Sequence, residues 1–334
     1  MFPTLPVNTH RRRFIAQSAA ALTSCLCDVP MSIADAPPET QRVRLHFYPV
    51  ACIAPLHVVE PLLAAEGFTD VGFVGPYDGV GVGPGKADFD MMSVCSIMLA
   101  LDAESDFVTL MGAHLGCYEL FGSRRVRSIR DLHGATVAVD GLGGAQHAML
   151  SSMAAYVGVD PRKDIRWVTQ LPPVGKQLYI DGKVDAYLGF PPETQELRAR
   201  GIGPVIVNTA TDKPWSQYAC CMLLTSREFL EKHPRATKRV MRALIRAADL
   251  CTREPERVAR ALVDRRVVER YEYGLQTLLE SNFGSWRTHD PADAMRFHGV
   301  RLHDVGLIRS SPKELIARGS DWRFLDELRH EMKA

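Results

Sequence analysis

Few side chains in this sequence come in types and spacings that could do chemistry, and His114 is the first of them. It lies in Gly112-Ala113-His114-Leu115-Gly116-Cys117, at the end of an apolar run. Three roles are open to it there: a general base, a ligand contact, or a partly buried histidine with its hydrogen bonds satisfied. Gly141-Leu142-Gly143-Gly144-Ala145-Gln146 follows an apolar strand and opens a helix. A dinucleotide fingerprint requires Gly where Gln146 stands, and no Gly-Lys-Ser/Thr follows to cradle a phosphate. The segment reads as a tight turn that brings a helix start close to a ligand or a sheet. Gly79, Gly81, Gly83 and Gly85 alternate without closing either motif. Neither a Gly-x-Ser-x-Gly elbow nor His-Glu-x-x-His occurs. Asp88-Phe89-Asp90 could touch a metal but fits a solvated turn better, and no cysteine pair has zinc-site spacing. Trp215 and Tyr218 suit a core and a stacking wall equally. No nucleophile, base and orienter assemble from spacing, so we expect no catalytic residue, no metal and no cofactor.

These residues need elements to position them. The chain of 334 residues is 46% apolar and 24% charged, the balance of a soluble globular protein with room for two domains. Charge is 40 basic against 39 acidic, so no whole-molecule field draws in nucleic acid. Arg42 to Tyr48 alternates like a strand, and apolar runs predict further strands at 71–74, 107–111, 117–121, 135–139, 165–168, 186–189, 205–207 and 219–224. Helical patterns fill 55–65, 93–101, 143–157 and 174–181. From Ser226 onward only helices are expected, over 227–253, 255–264, 269–283, 291–305 and 312–317.

Alternation of this kind predicts an α/β fold with parallel or mixed sheets covered on both faces. Ligands on such sheets sit at the carboxyl ends of strands, where helix starts point backbone N–H groups outward. The loops concerned are Tyr48–Cys52, Met92–Ser96, Gly112–Cys117, Asp140–His147 and Gly189–Glu193, with Trp215–Tyr218 ahead of a strand. They contain no Lys or Arg, and only Asp140 and Glu193 are acidic. A cleft built from them is expected to be nearly neutral and to hold a ligand by stacking and shape, with oriented N–H groups supplying any anion affinity.

The first 36 residues read as an export signal. Arg11-Arg12-Arg13-Phe14-Ile15 precedes an apolar stretch from Phe14 to Cys27 that is too short to span a bilayer. Paired arginines favour the twin-arginine route, which carries folded proteins. Ala34-Asp35-Ala36 offers a cleavage site, although Pro37 follows it, and Leu22-Thr23-Ser24-Cys25 offers a lipoprotein box with Cys25 lipidated. Cleavage after Ala36 removes three Arg and two Asp, leaving 37 basic and 37 acidic residues. Of the eight cysteines, Cys95, Cys117, Cys220 and Cys221 lie in apolar segments, where a free thiol behaves as a small buried hydrophobe. Connectivity cannot be read from spacing.

Several stretches resemble the solute-binding proteins of ABC importers, in the nitrate, sulfonate, taurine and thiamine-pyrimidine group. They are Gly112 to Phe121, Ser128-Ile-Arg-Asp-Leu-His-Gly-Ala-Thr-Val-Ala-Val139 and Glu228-Phe-Leu-Glu-Lys-His-Pro234. The resemblance spans roughly residues 42–330, and the Asp-Leu-x-Gly-x-x-Val segment before a Gly-rich helix start is its most specific part. It implies a type II periplasmic-binding fold with mixed sheets, two crossing segments and a C-terminal helical region. Lobe one would be 40–121 plus 222–334 and lobe two 122–221, with crossings near Phe121-Gly122 and Tyr218–Met222. The family's cleft positions carry over to Tyr48, Cys52, Ser93, His114, Gly143, Gly144, Gln146, Phe190 and Tyr218. The resemblance further implies a periplasmic monomer that partners a membrane permease and ATPase, with Cys25 as the candidate lipid anchor. Two alternatives stand beside it. A thiamine-pyrimidine or lyase-type enzyme would use His114 and Cys117, but that relative's cysteine-rich iron motif has only Ser93-Val-Cys-Ser-Ile97 as its nearest counterpart. A ligand-sensing receptor subunit is the other.

Overall fold

Ten strands among the described residues build two five-stranded sheets. The computed structural model describes residues 36–76 and 79–332. Residues 1–35, which carry the export-signal reading with Cys25 and Cys27, lie outside the described residues. Among those described, no helix is long and apolar enough to cross a membrane.

The first sheet has the order β2 (Asp70–Val74), β1 (Arg42–His46), β3 (Phe89–Ser93), β10 (Ala219–Ser226), β4 (Phe107–Leu115). Pairings among β2, β1 and β3 are parallel, whereas β10 runs antiparallel to both β3 and β4. In β1 the alternation seen in the sequence places Val43 and Leu45 in the core. Strand β4 is buried along its whole length, as expected of a near-continuous apolar run covered on both faces. The second sheet has the order β7 (Arg166–Thr169), β6 (Thr136–Val139), β8 (Ala186–Gly189), β5 (Glu119–Gly122), β9 (Val205–Asn208). There β6 is parallel to β7 and β8, and β5 is antiparallel to β8 and β9.

The chain passes between sheets twice, from β4 to β5 and from β9 to β10. Strand β5 pairs entirely within the second sheet, so residues 119–121 belong there and the first crossing is Gly116–Tyr118, ahead of Phe121-Gly122. Ala219 and Cys221 pair in the first sheet, so the second crossing ends before them. A Cβ at Gly116 would lie 1.9 Å from the Thr209 carbonyl oxygen, so the two crossings touch at a point only glycine can occupy.

Helices α1 (Ala54–Val58), α2 (Glu60–Ala65) and α3 (Val94–Asp102) follow strands of the first sheet. Helices α4 (Ala145–Tyr156), α5 (Pro172–Ile180) and α6 (Glu193–Ala199) follow strands of the second. The tail then supplies α7 (Arg227–Lys232), α8 (Pro234–Arg253), α9 (Pro255–Asp264), α10 (Tyr271–Glu280), α11 (Pro291–Asp304), α12 (Pro312–Gly319) and α13 (Arg323–Glu331). The single helix expected over 227–253 is broken at His233 because Pro234 cannot donate an N–H and pushes its predecessor out of the helical region.

Helix α8 also anchors the start of the fold. Arg239, Arg242 and Arg246 recur on one face and converge on the buried Glu66. Arg242 and Arg246 reach its carboxylate at 2.9 and 3.1 Å, and Arg239 donates to its carbonyl at 2.8 Å. Asp88-Phe89-Asp90 is no solvated turn: Phe89 and Asp90 lie in β3, and Asp90 is buried 3.0 Å from His46 Nδ1.

Candidate functional site

The ends of β1 and β3, the first crossing and the start of β10 open onto one cavity of about 910 Å³. Its floor is Tyr48, Cys52, Ser93, Cys117 and Cys221. Opposite stand Tyr118, Asp140, Phe190 and Glu193 from the second sheet's loops. The Tyr48 hydroxyl donates to the Met91 carbonyl, which fixes the ring and leaves its face to the cavity. Tyr118 and Phe190 meet edge to face with centroids 6.1 Å apart. A smaller space of about 480 Å³ adjoins, sharing Tyr48, Ser93 and Asp140 and adding Gly143 and Gly144.

The cavity's rim differs from the sequence expectation. Lys176, Arg200, Arg266 and Arg270 all line it, so basic groups are present after all. Lys176 and Arg200 come from α5 and the end of α6, and Arg266 and Arg270 from the turn between α9 and α10, outside the loops named above. They are largely engaged: Lys176 pairs with Glu196, Arg200 reaches Glu196 at 2.8 Å, and Arg270 lies 3.6 Å from Glu272. The balance of the cleft therefore stays close to neutral.

The start of α4 is already capped by an acid. Asp140 accepts the backbone N–H of Gln146 at 3.2 Å and that of His147 at 3.5 Å. A Cβ at Gly144 would lie 2.4 Å from Asp140 Oδ1, so glycine is what lets the carboxylate close over the helix end. Burial pushes the Asp140 carboxyl above its ordinary range, and the backbone donors of Gln146 and His147 oppose that. Oriented N–H groups at this helix thus serve the protein's own carboxylate, not an incoming anion. Glu193 is likewise raised, first by burial, against the hydrogen bond it accepts from the Tyr187 hydroxyl.

Cys52, Cys117 and Cys221 of the floor, with Cys220, gather around His114. His114 Nδ1 lies 2.9 Å from the Leu115 carbonyl oxygen, to which it donates, and the buried Nε2 has no hydrogen-bond partner. The donor atoms of Cys52, His114 and Cys221 lie within 4.8 Å of one another, as do those of His114, Cys117 and Cys220. Cys117 and Cys220 are free thiols with sulfurs 3.3 Å apart. Pairing of β10 with β4 shifts register on both sides of Cys221, and this irregularity lets two successive cysteines approach one imidazole. Hydrogen bonds from Cys117, Cys220 and Cys52 pull the Cys221 thiol well below its ordinary value despite burial. Burial disfavours the His114 imidazolium, yet the adjoining Cys221 prevails and raises it.

The nine residues singled out in the sequence divide three ways. Tyr48, Cys52, Ser93 and Phe190 line the main cavity, and Gly143 and Gly144 line its smaller neighbour. His114 lines neither cavity and sits against the floor cysteines. Gln146 and Tyr218 line neither cavity. The Gln146 amide donates to the Leu188 carbonyl at 2.7 Å, tying α4 to β8, and Tyr218 stacks on Phe297 with centroids 4.0 Å apart. Cys117 ends a loop already named as a place for ligands, whereas Tyr118 and Cys221 lie in apolar runs that read as core, and nothing local marks them as cavity lining.

A model of the family described as NMT1-like matches residues 107–263. No curated protein matches the chain in sequence. The structure aligns with the periplasmic nitrate-binding protein NrtA from Synechocystis PCC 6803 at TM-score 0.75, covering 89% of this chain and 90% of that one at 14% identity. The fold is that of a periplasmic binding protein. The periplasmic-binding-protein fold is also shared with the alkanesulfonate-binding protein SsuA from Xanthomonas axonopodis pv. citri bound to MOPS, at TM-score 0.66, 18% identity and coverage of 86% and 99%. It extends to the desulfurization enzyme DSZB, at TM-score 0.58, 14% identity and coverage of 88% and 100%. The resemblance read from the sequence is borne out, and the fold by itself accommodates both binders and an enzyme.

Proposed function

We propose that this protein is the solute-binding component of an ABC importer, exported to the periplasm, where it captures a small organic solute between its two sheets. The observation that carries the reading is the cleft itself. It is mostly apolar, about 910 Å³ in volume, and lined by residues from both sheets. That size suits a small organic ligand held by stacking, with a few polar groups setting its orientation. Closure about the crossings would bury the solute and present a composite surface to a permease and its ATPase. Solute must bind the closed form better than the open one for that surface to carry a signal.

Asp140 narrows the solute class. Its carboxylate occupies the helix start at which a nitrate or sulfonate would otherwise be held. Tyr48, Tyr118 and Phe190 supply rings. We therefore favour a planar heteroaromatic solute bearing an N–H donor for Asp140 over a sulfonate or carboxylate. A thermal-shift panel of pyrimidines, aromatic amines, aromatic acids, alkanesulfonates and nitrate tests this. Stabilisation by an N–H-bearing heteroaromatic, weakened about tenfold or more in affinity by Asp140→Ala, supports it. Stabilisation by nitrate or alkanesulfonates alone overturns the solute class, and catalytic turnover of the stabilising compound replaces the receptor by an enzyme.

A further inference from the structure

We propose that Cys52, His114 and Cys221, with Cys117 and Cys220 behind them, form a thiolate–imidazole site for one thiophilic closed-shell ion, Zn²⁺ or Cu(I). All five side chains are buried, and no carboxylate belongs to either donor trio. Oxygen-seeking cations such as Mg²⁺ or Ca²⁺ have nothing to hold there, whereas sulfur and imidazole suit Zn²⁺ and Cu(I).

Geometry supports the assignment. With Zn–S near 2.3 Å, a tetrahedral ion sets its sulfurs about 3.8 Å apart. The donors of each trio already fall within 4.8 Å of one another, so small side-chain rotations close the shell. His114 is presented as metal-bound imidazoles are: Nδ1–H is fixed on the Leu115 carbonyl, and the opposite nitrogen lies among the thiols, free to coordinate once its proton is displaced. That nitrogen is buried and has no hydrogen-bond partner, and coordination to an ion would engage it. Two thiolates neutralise Zn²⁺ inside a dry floor, releasing two protons, and leave one net negative charge on Cu(I). Cys52, Cys117 and Cys221 also line the cavity, so ions can enter from the cleft and a coordination position can face it. The site does not depend on what solute the cleft takes.

The test uses the full chain carrying Cys25→Ser and Cys27→Ser, reduced and stripped of metal under anaerobic conditions. Co²⁺ serves as the spectroscopic probe, followed by Zn²⁺ and by Cu(I) in competition with chromophoric chelators. The expected result is one ion per chain, a thiolate-to-cobalt charge-transfer band, and loss of that band in Cys52→Ser/Cys221→Ser but not in Cys251→Ser. The relative retention of Zn²⁺ and Cu(I) against the chelators identifies the native ion. Should the double variant fail to fold, alkylation of the otherwise unaltered chain decides instead. Bound metal should protect Cys52, Cys117, Cys220 and Cys221 and leave Cys95 and Cys251 reacting as before. Substoichiometric binding, a band that persists in the folded double variant, or alkylation indifferent to metal overturns the proposal.

Discussion

Asp140 Oδ1 accepts the backbone N–H of Gln146 at 3.2 Å, and so a side chain of the protein fills the anion seat at the start of α4. The sequence shows the Gly-rich turn, and an empty helix end would have made nitrate or a sulfonate the natural solute. The acid that precedes the turn changes the inference.

Removing that acid should restore the seat. Asp140→Ala is expected to lower stability by about 0.5–2 kcal/mol, the usual loss when a helix start loses its side-chain acceptor. The same variant should gain a sulfate-dependent rise in melting temperature that the parent protein lacks. Melting curves with and without sulfate at constant ionic strength check both effects, and equal sulfate responses would count against the capping role.

Glu66 should be a keystone of the first sheet's helical cover. It is buried and faces Arg239, Arg242 and Arg246. Glu66→Gln leaves those guanidinium groups without their shared charge, and the expected cost is about 3–5 kcal/mol in urea unfolding. A change below about 1 kcal/mol would mean that solvent screens the cluster as it does surface pairs.

Glu119 sets a pH dependence. Burial, opposed by Arg198 and assisted by Glu280, lifts its carboxyl from the ordinary 4.5 to about 7. A raised carboxyl binds its proton more tightly in the folded state. Its contribution to stability is therefore complete below about pH 4.5 and lost as pH rises through 7, to a limit of about 3 kcal/mol. Glu119→Gln should flatten the stability profile between those limits, relative to the parent. Parallel profiles in the two proteins would refute the assignment.

Tyr218 tests where the site ends. Its ring stacks on Phe297 and borders neither cavity. Tyr218→Ala should cost about 1–3 kcal/mol of stability while leaving solute affinity within about twofold at a temperature where the variant is folded. A large affinity loss in the folded variant would return Tyr218 to the cleft wall.

Local pattern made much of the fold legible. The alternation of β1, the apolar runs of β4 and β10, and the proline-started tail helices α9, α11 and α12 all lie where the periodicity puts them. Strand β3 was obscured because Asp88 and Asp90 look like turn residues, and only the fold reveals that Asp90 faces His46. The site was half legible. Strand-end loops name Tyr48, Cys52, Ser93 and Phe190 because carboxyl ends of strands are where ligands sit. Arg266 and Arg270 arrive from the distant turn between α9 and α10, and no local signal marks their return. The thiol cluster is non-local in the same way. Cys52, Cys117 and Cys221 are far apart in sequence, each ordinary in its own segment, and meet because β10 sets Cys221 between Ser93 of β3 and His114 of β4.

Solute capture with closure is the central claim, and calorimetric titration paired with small-angle scattering tests it most directly. The account predicts 1:1 binding of an N–H-bearing heteroaromatic compound together with a smaller radius of gyration in its presence. Binding without any compaction, or no binding by any member of a broad heteroaromatic series, would contradict it.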